Sequence, residues 1–179
     1  MGDSTLWVAA LTAGTAVLAS WVTSRGTYRA ARIQADAAAA SVQADRLRAA
    51  RRAAYVDVIE QAQRMGDLYW KVSDAGQLSD PDERLAALKD LRVRLRGEYA
   101  VLRQRVWVAD LEGPSAVASA ADRVRRATSD NWRALGAMIA GEEDAGRRFN
   151  DCYAPFWESV VNFVDIARTA LHETRTSTP

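Results

Sequence analysis

Apolar residues recur along most of this chain at intervals of three and four, the spacing of one face of an α-helix. No stretch alternates with period two over a useful length. The pattern predicts an all-α protein. Its first element differs from the rest. From Ser4 to Ser24 there is no charge, the run reading Leu6-Trp7-Val8-Ala9-Ala10-Leu11 through Val17-Leu18-Ala19-Ser20-Trp21-Val22. As a helix it would span roughly 32 Å, against a hydrocarbon core of about 30 Å. Trp7 and Trp21 stand near its two ends, where amphipathic rings favour the membrane–water interface. Residues 1–26 are therefore read as an uncleaved transmembrane anchor. A cleaved signal peptide carries basic residues ahead of its apolar stretch, and here Asp3 is the only charged side chain there. Arg25, Arg29 and Arg32 all follow the run. The positive-inside rule then places the N-terminus outside the cell and the C-terminal domain in the cytoplasm. Thr12, Ala16 and Ser20, with Ala10 and Gly14 beside them, give the small-residue spacing that lets two membrane helices approach closely.

Residues 27–45 continue as helix but are dominated by alanine, with Ala37-Ala38-Ala39-Ala40 at their centre. Alanine favours the helix yet buries little surface, so this segment reads as a stalk. From Leu47 the pattern strengthens: Leu47, Ala54, Val58, Met65, Leu68, Tyr69 and Val72 share one face. Gly76-Gln77-Leu78-Ser79 breaks that helix. Asp80 as N-cap, Pro81 at the first helical position and Glu83 three residues after the cap start the next. Its inner face is Leu85, Leu88, Leu95, Tyr99, Leu102 and Val106. Gly113-Pro114-Ser115 makes the following connection. The third helix presents Val117, Ala121, Val124, Leu135, Met138 and Ile139 and ends at Gly141. The fourth presents Phe149, Tyr153, Phe156, Val160, Phe163, Ala167 and Leu171 across Pro155, where a kink is expected. Short connections make sequential helices antiparallel neighbours. Residues 46–173 should therefore form an up-down-up-down four-helix bundle about 45 Å long, with a frayed tail at 174–179. Because this segment holds all four amphipathic faces, it should fold without the anchor.

One feature of the first bundle helix falls outside that scheme. Tyr55, Ile59, Ala62, Gly66 and Trp70 make a second apolar stripe, turned roughly 100° from the Val58 face. An exposed strip of this kind is avoided on lone soluble surfaces. It is taken as a face for a second copy or a docked partner helix.

Composition removes several function classes. The net charge is +1 and arginine far outnumbers lysine, so no global field points to nucleic acid. The single cysteine, Cys152, cannot form an internal disulfide and reads as a small core residue. The single histidine, His172, reads as a polar residue near a helix end. One His and one Cys leave no ordinary transition-metal ligand set. Neither a phosphate-binding loop, nor a dinucleotide fingerprint, nor a nucleophile elbow is present. Glu60 with Arg64, Asp67 with Lys71, Asp90 with Arg94 and Asp144 with Arg148 have the i,i+4 spacing of surface ion pairs. Arg92, Arg96 and Arg103 line one edge of the second helix's apolar face. They read as stems lying over the bundle seam, with guanidinium groups paired to Asp or Glu next door, rather than as a phosphate strip. Trp70, Trp107, Trp132 and Trp157 place one tryptophan on each bundle helix, as core fillers or, less favoured, as walls of an apolar pocket. Asn131 falls on the core stripe of the third helix and would need a hydrogen-bond partner there.

The order of apolar anchor, Trp21, Arg25, then Arg29-Ala30-Ala31-Arg32-Ile33-Gln34-Ala35 and Arg51-Arg52-Ala53-Ala54-Tyr55 resembles uncharacterised small single-pass membrane proteins of high-GC Gram-positive bacteria. The resemblance covers about the first third of the chain and implies only an anchor and a compartment. The resulting expectation is a non-enzymatic, membrane-anchored, cytoplasm-facing helical-bundle interaction or scaffold protein that self-associates. It would use no cofactor and no metal, and its partners would be the lipid bilayer and a second copy or a partner helix. A sensor or membrane effector whose bundle binds a small apolar ligand is the alternative.

Overall fold

The computed structural model describes the side chains of residues 27–29 and 31–172, and the backbone alone of residues 3–26, 30 and 173–176. Five helices follow one another: α1 (Asp3–Gly76), α2 (Pro81–Glu112), α3 (Ser115–Ala140), α4 (Ala145–Asp151) and α5 (Tyr153–Thr176). The chain divides into two compact units, residues 1–47 and residues 48–179.

In the first unit the described side chains from Thr27 to Leu47 are exposed, apart from a half-buried Ala44. Ile33 is 69% and Leu47 48% exposed. Leu47 was expected on the bundle face and does not belong to it. It closes the first unit, and the buried stripe begins at Ala54. Among the described residues no helix is long and apolar enough to cross a membrane. The expected anchor, with Trp7, Gly14, Trp21 and Arg25, lies outside the residues whose side chains are described. Arg29 is exposed.

The second unit is a helical bundle. Contacts between α1 and α2 run in opposite sequence directions. Arg51 Nε donates to the Glu112 carbonyl at 2.7 Å, Arg105 to the Asp57 carbonyl at 2.7 Å, and Gln61 Nε2 to the Glu98 carbonyl at 2.9 Å. The same holds for α1 and α5, where Tyr55 meets Phe163 and Tyr69 meets Phe156. Arg92 of α2 lies over Trp132 of α3, and Arg123 of α3 donates to Asn162 of α5 at 2.8 Å. The cyclic order α1-α2-α3-α5 is the expected antiparallel arrangement. Val58, Val72, Leu102, Val117, Val124, Leu135, Phe156 and Phe163 fill its centre, all at 0% to 3% exposure.

The ends of the helices follow from local chemistry. Asp80 Oδ1 accepts from the backbone N–H of Asp82 at 2.8 Å and of Glu83 at 3.3 Å. Those donors have no partner within the helix, so the cap stabilises α2 by about 1 kcal/mol. At the end of α3 the N–H of Glu142 reaches the Ala137 carbonyl and that of Gly141 the Met138 carbonyl. This is a Schellman closure. It requires the left-handed backbone that Gly141 adopts, with φ 73°.

The fourth helix departs from expectation. It does not kink at Pro155 but breaks at Cys152 into α4 and α5. A proline at position 155 has no N–H for the Asp151 carbonyl, and its ring crowds that carbonyl. Restarting the helix at Tyr153 puts Pro155 in the first turn, where no internal N–H bond is needed. The apolar stripe continues through the break, with Phe149 at 1% and Phe156 at 0% exposure.

Candidate functional site

The second stripe of α1 lies inside its own bundle, which corrects the expectation of an exposed interaction face. Tyr55 is 2% and Ala62 0% exposed, Gly66 is buried, and Ile59 is partly buried against the core. Only Trp70 is open, at 58%. The covering element is α5. Tyr55 meets Phe163 edge to face at 6.2 Å between ring centroids, and Trp70 meets Tyr153 at 5.1 Å. A helix in a four-membered ring touches two neighbours, so its apolar arc is wider than one stripe.

Gly66 is a point of close approach in that seam. A Cβ built there would lie 2.6 Å from Cζ2 of Trp157. Glycine inside a helix costs up to about 1 kcal/mol relative to alanine, and here its missing side chain gives the indole its seat. Gly66→Ala should therefore destabilise the bundle, by about 1–3 kcal/mol from overpacking, despite the better helix former. Combining it with Trp157→Phe should recover part of the loss. Thermal melts of the single and double variants check both; a single variant as stable as the parent would refute the contact.

A cleft of about 590 Å³ opens between α1, α2 and α3. Its floor is Met65, Tyr69 and Leu95, all buried. Half-buried Tyr99 and Trp132 form its walls, and Arg96, Ser129 and Arg133 stand exposed at its mouth. The Arg92 guanidinium sits 5.0 Å from the centroid of the Trp132 ring, a cation–π distance. Arg133 pairs with Asp130, one helical turn away on the surface. Among the described residues, neither Arg92 nor Arg96 has a carboxylate partner. Arg92 and Arg96 thus lie over a seam, as expected, but without the carboxylate partners expected for them, and that seam is partly open. Of the four bundle tryptophans only Trp132 lines this cleft. Trp157 packs on Gly66, and Trp107 is 66% exposed.

Other expected features fall as follows. Asp90 and Arg94 pair at 3.9 Å, but Asp144 pairs with Arg147 and Arg148 with Glu142. Asp144 takes a left-handed φ of 58° at the start of α4, and the local turn redirects both arginines. The Cys152 thiol is half-buried and donates to the Arg148 carbonyl at 3.2 Å, and burial pushes its pKa up. His172 is exposed. Among the described residues no group of His, Cys, Asp and Glu is placed to hold a metal.

The Tyr69 hydroxyl, at the base of the cleft, is held by burial well above its ordinary pKa of 10.0. In the unfolded chain it ionises near pH 10, while the folded chain keeps it neutral. Its contribution is therefore constant below about pH 10. Above that it is lost by up to about 1.4 kcal/mol per pH unit until the folded group also ionises. Urea titrations between about pH 9 and pH 11 should show this fall, and Tyr69→Phe should make it shallower. An unchanged slope in the variant would show that the hydroxyl is solvated.

Comparison of the chain with protein-family models, with curated proteins and with solved structures finds no match in any of the three.

Proposed function

We propose that this protein is a non-catalytic, membrane-anchored interaction protein, with its helical bundle in the cytoplasm, that self-associates through residues 27–47. The anchor reading rests on the charge-free run before Arg25 and on the basic residues after it. The self-association reading is carried by one observation. Ile33, Ala37, Ala40, Ala44 and Leu47 follow one another at spacings of four, three, four and three, on a helix whose apolar side chains Ile33 and Leu47 are exposed. That is the heptad spacing of a coiled-coil seam. Alanine at the three middle seam positions, 37, 40 and 44, lets a second backbone approach closely. The same face on a second copy is the complementary surface, and pairing there removes Ile33 and Leu47 from water.

The test is a cysteine scan of the full chain in membranes, in a Cys152→Ser background. Cysteines at 33, 37, 40, 44 and 47 should cross-link chain to chain under mild oxidation, and those at 35 and 42, on the opposite face, should not. Cross-linking without the heptad period, or none at any position, would overturn the seam. An impermeant thiol reagent applied to intact cells should miss a cysteine added at the C-terminus. Labelling there would overturn the orientation.

A further inference from the structure

The cleft between α1, α2 and α3 has two chemistries in one place. Its floor of Met65, Tyr69 and Leu95 is buried and apolar, and the Trp132 ring stands beside it. Its mouth is cationic, with Arg96 and Arg133 both lining it. Arg92 adds a third guanidinium, 5.0 Å from the Trp132 ring centroid. Only Arg133 of the three has a carboxylate beside it among the described residues, and that pair is exposed on both sides. Glu98, the acidic residue of α2 nearest in sequence to the cleft-lining positions, is turned toward α1, where its Oε2 accepts from Gln61 Nε2 at 2.6 Å. Asp122 is engaged by Arg125 and Arg126. Glu98 and Asp122 are thus directed elsewhere; Asp130 offsets only Arg133, and Arg92 and Arg96 keep their charge at the mouth without a carboxylate partner among the described residues. The volume of about 590 Å³ lies within the range of sites for small organic ligands.

We infer that this cleft binds a small amphipathic anion, with an apolar body on Trp132, Met65 and Leu95 and a carboxylate or phosphate head held by Arg96 and Arg133. A purely apolar ligand would leave the guanidinium groups unused at the mouth. An inorganic anion alone would leave the half-buried Tyr99 and Trp132 rings of the walls facing water. A ligand with both parts satisfies both, because guanidinium groups bind planar or tetrahedral oxyanions by charge-assisted hydrogen bonds and the floor gains apolar contact. The Ser129 hydroxyl at the mouth offers a further donor to the same head. This inference goes beyond anchoring and association, and it stands or falls independently of the 27–47 seam.

The probes are octanoate, octan-1-ol and inorganic phosphate, titrated calorimetrically into the full chain in lipid nanodiscs with empty nanodiscs as reference. Octanoate should saturate at one site per chain. Octanol should bind about tenfold more weakly, since it lacks the charge-assisted contact. Phosphate should give no saturable binding at the same concentrations. Arg96→Gln should weaken octanoate about tenfold and leave octanol unchanged. Trp132→Phe, which keeps a ring on the wall, should fold as the parent does and weaken both organic probes. Absence of saturable octanoate binding in the millimolar range would overturn the inference. So would equal binding of octanoate and octanol with no effect of Arg96→Gln, which would make the cleft simply apolar. Phosphate binding as tightly as octanoate would also overturn it, because the apolar floor would then have no part.

Discussion

Phe163→Ala is expected to destabilise the bundle by about 3–5 kcal/mol. The ring is 0% exposed and meets Tyr55 edge to face, with planes at 84°. Truncation loses the transfer free energy of the ring and leaves a cavity that the neighbouring helices can only partly close. It also removes the aromatic pairing, worth about 0.5–1.5 kcal/mol beyond the area buried. This is a large fraction of the 5–15 kcal/mol that holds a domain of this size together. Urea unfolding of the bundle unit should show a much lower midpoint with an unchanged slope. A loss below about 1 kcal/mol would mean that α5 does not pack on α1 in solution.

The second large effect has the opposite sign. Asn131→Leu is expected to stabilise the bundle by about 1–3 kcal/mol. Asn131 is 1% exposed on the core stripe of α3, and neither its Oδ1 nor its Nδ2 has a hydrogen-bond partner in the protein. Thr128, one turn earlier and also buried, shows the contrast, because its hydroxyl donates to the Arg125 carbonyl at 2.7 Å. The amide of Asn131 leaves water without such a replacement. Leucine has a similar length, no polar atoms and a better helix propensity. The same urea titration decides the matter. A lower midpoint for the variant would show that the amide is hydrogen-bonded in solution and that its partner matters to the fold.

These two positions mark what the sequence could and could not convey. The burial of Phe163 was legible, because period 3.6 is all that is needed to place it on an inner face. So were the Asp80 cap, the Gly141 stop and the antiparallel order, since each rests on chemistry within a few residues. The neighbour that covers a given face is set elsewhere in the chain. Tyr55, Ala62 and Gly66 looked like a surface for another molecule because a single helical wheel does not show that α5 brings Trp157 to the same side. Pro155 was visible as a disturbance. Whether it kinks or splits the helix depends on Cys152 and Tyr153, which restart it one turn earlier. The cleft was the least legible feature. The arginine edge and Trp132 are both visible in the sequence, but their meeting depends on how α2 packs on α3, and spacing along one helix does not encode that.

The seat of Trp157 on Gly66 also has a consequence for how the chain is made. The contact joins residues about ninety positions apart, so it is among the costliest loops in the molecule to close. The α1–α2 and α2–α3 hairpins can form locally while the chain is still being synthesised. The aromatic flank of α1 lacks most of its cover until α4 and α5 have emerged. During that interval Tyr55 and Tyr69 present an open apolar strip to whatever is nearby. The last helix therefore acts as the closing step of biogenesis, and a chain truncated before Tyr153 would be a substrate for chaperones and proteases rather than a smaller version of the protein.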